Sequence, residues 1–250
     1  MGNPAESTAA VHVVARWEDC PPLGADALAV VFDVLRATTA MVAAAMSGVT
    51  AILPIGSVEE ARRLAHREPE LLLAGERENR RIPGFDYGNS PLEWSPRENV
   101  TGRRVVWTTT NGTRAVERAG GAGRLLVASF WNRTATARAI RGHEGPVWLV
   151  AAGTRGTFSL EDWLAAGAVA ALLSAEHRDD QAAAAALAAE RALPRLPDVI
   201  RSASHARALL AVDYGDDVSA AADVDRASLV LEAEAPGAAG NPRWFQSKLS

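Results

Sequence analysis

The chain has 250 residues, 48% of them hydrophobic and 22% charged, with a formal net charge of −4. That is enough chain and core for one sizeable globular domain, and an acidic balance without a basic stripe speaks against a nucleic-acid footprint. Lys248 is the only lysine and Cys20 the only cysteine, which removes a Walker-type or Schiff-base lysine, a disulfide framework and a Cys-rich metal centre.

In chain order, residues 1–24 read as an N-terminal segment carrying a candidate edge strand. Met1 to Ser7 lack the charged start and apolar stretch of a signal peptide, and Glu6 breaks the myristoylation pattern. No apolar run reaches the roughly 18–20 residues of a membrane span, so a cytoplasmic protein is expected. Residues 27–33 form a continuous apolar run, as in a strand buried on both faces. A helix over 37–47 and a strand over 50–55 follow. Ser57 and Glu60 form a capping box that opens a helix to about Ala65. A third strand spans 70–74, and a long loop runs from Arg80 to Pro91.

A strand over 103–107 leads to a helix ending near Arg118, and further strands are expected over 125–130 and 147–151. Helices are expected from about 160 to 174, over 181–192, where propensity is strong, and over 199–211. Beyond about 228 the pattern decays. The domain is therefore placed at 25–232 and a C-terminal tail at 233–250. Strands alternating with helices predict a three-layer α/β/α fold around a largely parallel, or mixed, sheet.

In a parallel sheet the carboxyl ends of the strands open onto one edge, where ligands bind. Asp33 ends a buried strand, where an ionised carboxylate is costly unless paired or on a metal. It is either a metal ligand or nucleophile with Arg36 as a phosphate clamp, or an N-cap with Arg36 as its partner. Thr38 stands in the first turn of the helix behind it. Thr108-Thr-Thr-Asn-Gly-Thr113 lies between a strand and a helix, and Asn and Gly permit the backbone bends of an anion-binding nest. A hairpin turn is the competing reading, disfavoured because a helix follows. Glu161 and Asp162 either complement a helix dipole or join Glu76 in a carboxylate set. Mg²⁺ suits such hard oxygen donors. The five histidines (12, 66, 143, 177, 205) show no zinc spacing and read as surface or packing residues. Asp86, Asn89 and Ser90 line a pocket or simply form turns.

Taken together, Val31-Phe-Asp-Val-Leu-Arg-Ala-Thr-Thr39, Gly75-Glu76, Ile82-Pro-Gly-Phe-Asp-Tyr-Gly-Asn-Ser-Pro91, Thr108-Thr-Thr-Asn-Gly-Thr113 and Phe158-Ser-Leu-Glu-Asp162 resemble the 2-phosphosulfolactate phosphatase family. The match runs in order from about residue 28 to 171. Asp216-Asp217, Asp223-Val-Asp225 and Leu229-Val-Leu-Glu232 fit loosely and leave the last strand open. The resemblance implies Mg²⁺-dependent hydrolysis of a phosphate monoester of a sulfonated lactate, in some lineages a step of coenzyme M synthesis. It implies catalytic roles for Asp33, Arg36, Asn111 and Glu161, with Asp33, Glu76, Glu161 and Asp162 as metal ligands. Substrate would be held by Thr38, Asn89, Ser90, Thr109, Thr110, Gly112 and Thr113, with Arg155 or Arg114 on the sulfonate or carboxylate end. The nucleophile is Asp33 or a metal-activated water. Two other readings stay open: a phosphatase for another small anionic ester, and a non-catalytic binder of an anionic metabolite. A homodimer is compatible with all of them.

Overall fold

The computed structural model describes residues 9–94, 99–235 and 242–249. The N-terminal reading of residues 1–7 and the part of the expected tail at 236–241 and 250 lie outside these residues. The strands are β1 (Val11–Val14), β2 (Leu28–Phe32), β3 (Ala51–Pro54), β4 (Leu72–Arg77), β5 (Arg80–Arg81), β6 (Arg104–Thr108), β7 (Arg124–Ala128), β8 (Val147–Ala151), β9 (Leu229–Ala233) and β10 (Phe245–Leu249). The helices are α1 (Ala37–Met46), α2 (Val58–Arg67), α3 (Gly112–Ala119), α4 (Arg133–Ile140), α5 (Leu160–Ala170), α6 (Asp180–Ala192), α7 (Leu196–Ser202), α8 (Ser204–Leu210) and α9 (Gly215–Ala221).

All the strands join one mixed sheet in the order β1-β8-β2-β7-β9-β10-β3-β6-β4-β5. Two parallel blocks dominate it, β1-β8-β2-β7 and β3-β6-β4. Three successive antiparallel ladders, β7–β9, β9–β10 and β10–β3, separate them. The expected single parallel edge is thus two edges, one from each block, and the site draws on both.

The side chains explain the layering. Along β2, Leu28, Val30 and Phe32 enter a core beneath α4, α5, α6 and α9, while Ala29 and Val31 enter the opposite core against α1 and α3. No position of this strand reaches water, which is why it reads as an unbroken apolar run. A smaller core beneath α2 takes Leu53, Leu73 and Val106 from the second block, with Phe85 and Ile82 of the long loop. That loop is packed, as its aromatic content implied.

Three expectations change. The segment 245–249, read as tail, is β10. Its Phe245 is fully buried and pairs with Ala233 on one side and Ile52 on the other, so it joins the two blocks. The helix expected over 199–211 breaks at Ala203, whose extended backbone (ψ 151°) separates α7 from α8. The helices α4 and α9 were not foreseen; both are short, eight and seven residues, a length at which helices depend on tertiary packing. The edge strand expected near the N-terminus is present as β1. Among the described residues no helix is long and apolar enough to cross a membrane.

Candidate active site

A cavity of about 660 Å³ opens where the carboxyl ends of β2 and β8 approach those of β4 and β6. Asp33, the residue after β2, supplies its floor. The Asp33 backbone is folded into a tight turn: its N–H donates to Thr38 Oγ1 (3.1 Å) and its carbonyl accepts the Thr38 N–H (2.8 Å). Thr38 therefore shapes the turn and does not line the cavity. The Leu35–Arg36 peptide in this turn is cis. Burial pushes the Asp33 carboxyl up to about 7, opposed by His205 and the Ala37 N–H and reinforced by Glu76 and Glu161. Room for that carboxylate depends on Gly112, where a Cβ would stand 2.7 Å from Asp33 Oδ2.

Glu76, next to last in β4, organises the opposite wall. One of its oxygens accepts the Thr110 N–H (3.1 Å) and hydroxyl (2.9 Å), and the other accepts the Asn79 N–H (2.9 Å). With both oxygens spent on protein donors, Glu76 positions the loop ahead of α3. The Asn79 it holds sits with Glu78 at the tip of the β4–β5 hairpin, both at positive φ (66° and 54°), the pattern of a primed two-residue turn.

Glu161 and Asp162, adjacent on α5, part company. Successive helical residues project about 100° apart, so they cannot share a target. Glu161 lines the cavity, and its Oε1, buried, has no hydrogen-bond partner among the described residues. Its nearest basic neighbour is His205 Nδ1, at 3.5 Å. Asp162 turns away: its oxygens accept the Val34 N–H (2.7 Å) and the Gly153 N–H (3.1 Å), tying the end of β2 to the loop after β8. Burial, then Glu161 and Asp33, push its carboxyl well above the usual range. Asp162, expected among the metal ligands, serves in the structure as a tie between these two backbone segments.

Arg36 was expected to clamp phosphate. Its guanidinium instead donates to Asp217 Oδ2 (2.7 Å) and to the Asn79 carbonyl (2.6 Å) and lies 3.8 Å from the Tyr214 ring centre. Ser90, expected to bind substrate, donates to the other Asp217 oxygen at 2.6 Å. Both are committed to α9. Asn89 does line the cavity, with its Oδ1 held by the Trp107 indole N–H (2.7 Å). Thr109 and Thr113 are buried and bond each other: Thr113 N–H donates to Thr109 Oγ1 and Thr113 Oγ1 to the Thr109 carbonyl. They build the first turn of α3 and leave Thr110 and Asn111 to face the cavity.

Three residues missed by the sequence reading complete the site. His205, read as a surface or packing histidine, lines the cavity from α8 and contacts Thr154 Oγ1 (3.4 Å), Asn79 Oδ1 (3.3 Å) and Glu161. The Ser-Ala-Ser-His205 interruption of an Ala/Leu-rich stretch was the available signal. Asp217 and Asn79 gave only weak ones, the loose Asp216-Asp217 match and an Asn in a charged loop.

Among the described residues no three His, Cys, Asp or Glu side chains stand close enough to hold a metal ion unaided. A divalent ion of the Mg²⁺ type needs fewer, since one or two carboxylates with substrate phosphate and water are the common arrangement. Asp33 and the orphaned oxygen of Glu161 fit that role, because a buried carboxylate oxygen without a donor calls for an ion or water. Beside them α3 begins, and its N-cap Asn111 makes no side-chain cap bond, so a helix start with its dipole faces the same space as an anion site.

Comparison with known proteins gives the same direction. A family model described as 2-phosphosulpholactate phosphatase matches residues 17–236. A "Probable 2-phosphosulfolactate phosphatase" of Symbiobacterium thermophilum is 41% identical over 197 residues, 76% of this chain and 84% of its own. One from Thermotoga petrophila is 40% identical over 190 residues, 76% of this chain and 82% of its own. One from Prochlorococcus marinus (strain MIT 9313) is 39% identical over 236 residues, 90% of this chain and 96% of its own.

Proposed function

Because the chain belongs to the 2-phosphosulpholactate phosphatase family, we propose that it is a phosphoric monoester hydrolase that converts 2-phosphosulfolactate to 3-sulfolactate and inorganic phosphate with Mg²⁺. The observation that carries the reading is the meeting of buried Asp33 and Glu161 with the N-terminus of α3 in one cavity. In the same proposal the protein is cytoplasmic and its product is available to coenzyme M synthesis.

The residues divide the work as follows. Backbone N–H groups at the start of α3 receive the phosphoryl oxygens, where the helix dipole favours negative charge. Thr110, bound to Glu76 through its N–H and hydroxyl, holds that turn in place. Asp33 and Glu161 would hold the cation, which when bound neutralises phosphoryl charge and acidifies a water. Asp33 stands at the floor as the nucleophile, or as the group that orients an attacking water. With Asp33 as nucleophile, its oxygen bonds phosphorus as the phosphorus–ester oxygen bond breaks, and a water then hydrolyses the aspartyl-phosphate to release phosphate and free Asp33. In the other route the water attacks phosphorus directly, and in both the leaving alkoxide takes its proton from water. Arg36, Asp217 and Asn79 keep the end of β2 and the β4–β5 hairpin fixed around this centre.

Phosphate release from racemic 2-phosphosulfolactate and from phospholactate, each with and without Mg²⁺, tests the reading. Mg²⁺-dependent release from the sulfonated ester alone supports it in full. Equal release from both keeps the phosphatase and discards the substrate. No release from either overturns it.

A further inference from the structure

Three arginines line the cavity, and two are spent. Arg36 is taken by Asp217 and Asn79, and Arg77 donates to the Glu76 and Gly56 carbonyls and to Thr108 Oγ1. Arg155 is different: its side chain has no hydrogen-bond or ion-pair partner among the described residues. Arg114, the other arginine that sequence reasoning offered for this duty, is exposed on α3 and not part of the cavity wall.

The Arg155 backbone is held with unusual care for an exposed residue. Thr154 and Thr157 exchange both backbone bonds (2.9 and 3.0 Å), which makes Arg155 and Gly156 the tip of a two-residue hairpin. Both sit at positive φ, 52° and 75°; this is routine for Gly156 but costly for arginine. Arg16 donates to the Gly156 carbonyl (3.0 Å), and Asn111 Oδ1 accepts the Arg155 N–H (3.2 Å). The side chain of the residue that caps α3 is thus used to fix an arginine on a different loop, not to cap its own helix.

We propose that this hairpin is the specificity element of the site: Arg155 binds a second anionic group of the phosphate ester, and Asn111 is a positioning residue that presents it. The inference rests on the phosphatase reading and deepens it. The 3.2 Å link places Arg155 one residue from the phosphoryl-binding turn, so the preferred substrates carry the second anion within a few bonds of the phosphate. A guanidinium fork suits a sulfonate or carboxylate there. Asn111, expected to be catalytic, acts through Arg155.

The test compares kcat/KM for 2-phosphosulfolactate with that for para-nitrophenyl phosphate, which has no second anion. Arg155→Ala lowers that ratio about tenfold, as expected for one lost charge-assisted contact, chiefly through KM, and Arg155→Lys retains part of it. Asn111→Ala lowers the ratio in the same direction and has little further effect in the Arg155→Ala background. An unchanged ratio, or equal losses on both esters, overturns the assignment, since equal losses put Arg155 on the phosphoryl group itself. If the wild-type enzyme hydrolyses neither ester, the phosphatase reading fails and 3-sulfolactate binding, measured by calorimetry, decides the inference. Affinity about tenfold weaker in Arg155→Ala then supports it, and equal affinity overturns it.

Discussion

Arg36 and Asp217 meet 2.7 Å apart with almost no solvent exposure, and this pair fastens the turn after β2 to α9 across 181 residues of sequence. Ser90 completes the arrangement on the second Asp217 oxygen. Removing one partner of a buried pair leaves an uncompensated charge, at a cost of about 3–5 kcal/mol. Asp217→Ala should therefore destabilise the protein by about that much in urea titration. A phosphate-clamping Arg36 without a structural duty would show no such loss.

Gly112 carries a sharper prediction, because only the absence of a side chain lets α3 start against Asp33. A Cβ there would meet Asp33 Oδ2 at 2.7 Å and Thr109 Oγ1 at 3.2 Å. Gly112→Ala must push the carboxylate from its place. The expected result is at least a hundredfold loss of phosphatase rate with a stability change within about 1–3 kcal/mol, the range for overpacking. Full activity in a folded Gly112→Ala protein would remove Asp33 from the reaction.

The limits of the sequence can be traced through these residues. Asp33, Thr110 and Asn111 were legible because each follows an apolar strand and precedes a helix, a local pattern that any α/β crossover shares. The same logic overextended itself to Asp162. Chain adjacency to Glu161 implied a shared role, whereas helix geometry turns the two side chains to different targets. Arg36–Asp217 and His205–Glu161 were illegible because they depend on where α8 and α9 dock, which nothing local records. Likewise, β10 shows only one buried position, Phe245, so its alternation is too weak to read as a strand.

Phe245 provides the test of that last point. It is fully buried between Ala233 and Ile52, at the junction of the two parallel blocks. Phe245→Ala should cost about 3–5 kcal/mol by the loss of buried apolar surface and the cavity it leaves. A dispensable tail would tolerate the change with no shift in the denaturation midpoint.

The buried acids make a prediction about pH. Both Asp33 and Asp162 have folded pKa values raised above the ordinary carboxylate range, Asp33 to about 7. A group of this kind binds more protons folded than unfolded at intermediate pH, so its contribution to stability is complete below the unfolded value. That contribution declines as pH rises through the folded one. Without divalent metal, the stability contributed by Asp33 should therefore fall between about pH 4 and pH 7, by roughly 4 kcal/mol at most, and Asp162 acts in the same direction. Mg²⁺ binding favours the ionised carboxylates and should restore stability most strongly at the upper end of that range. Melting curves from pH 4.5 to 8, with Mg²⁺ and with chelator, measure both effects. A metal-free midpoint that rises across this window would mean that Asp33 is already ionised in the folded protein, held by donors beyond the Ala37 N–H and His205.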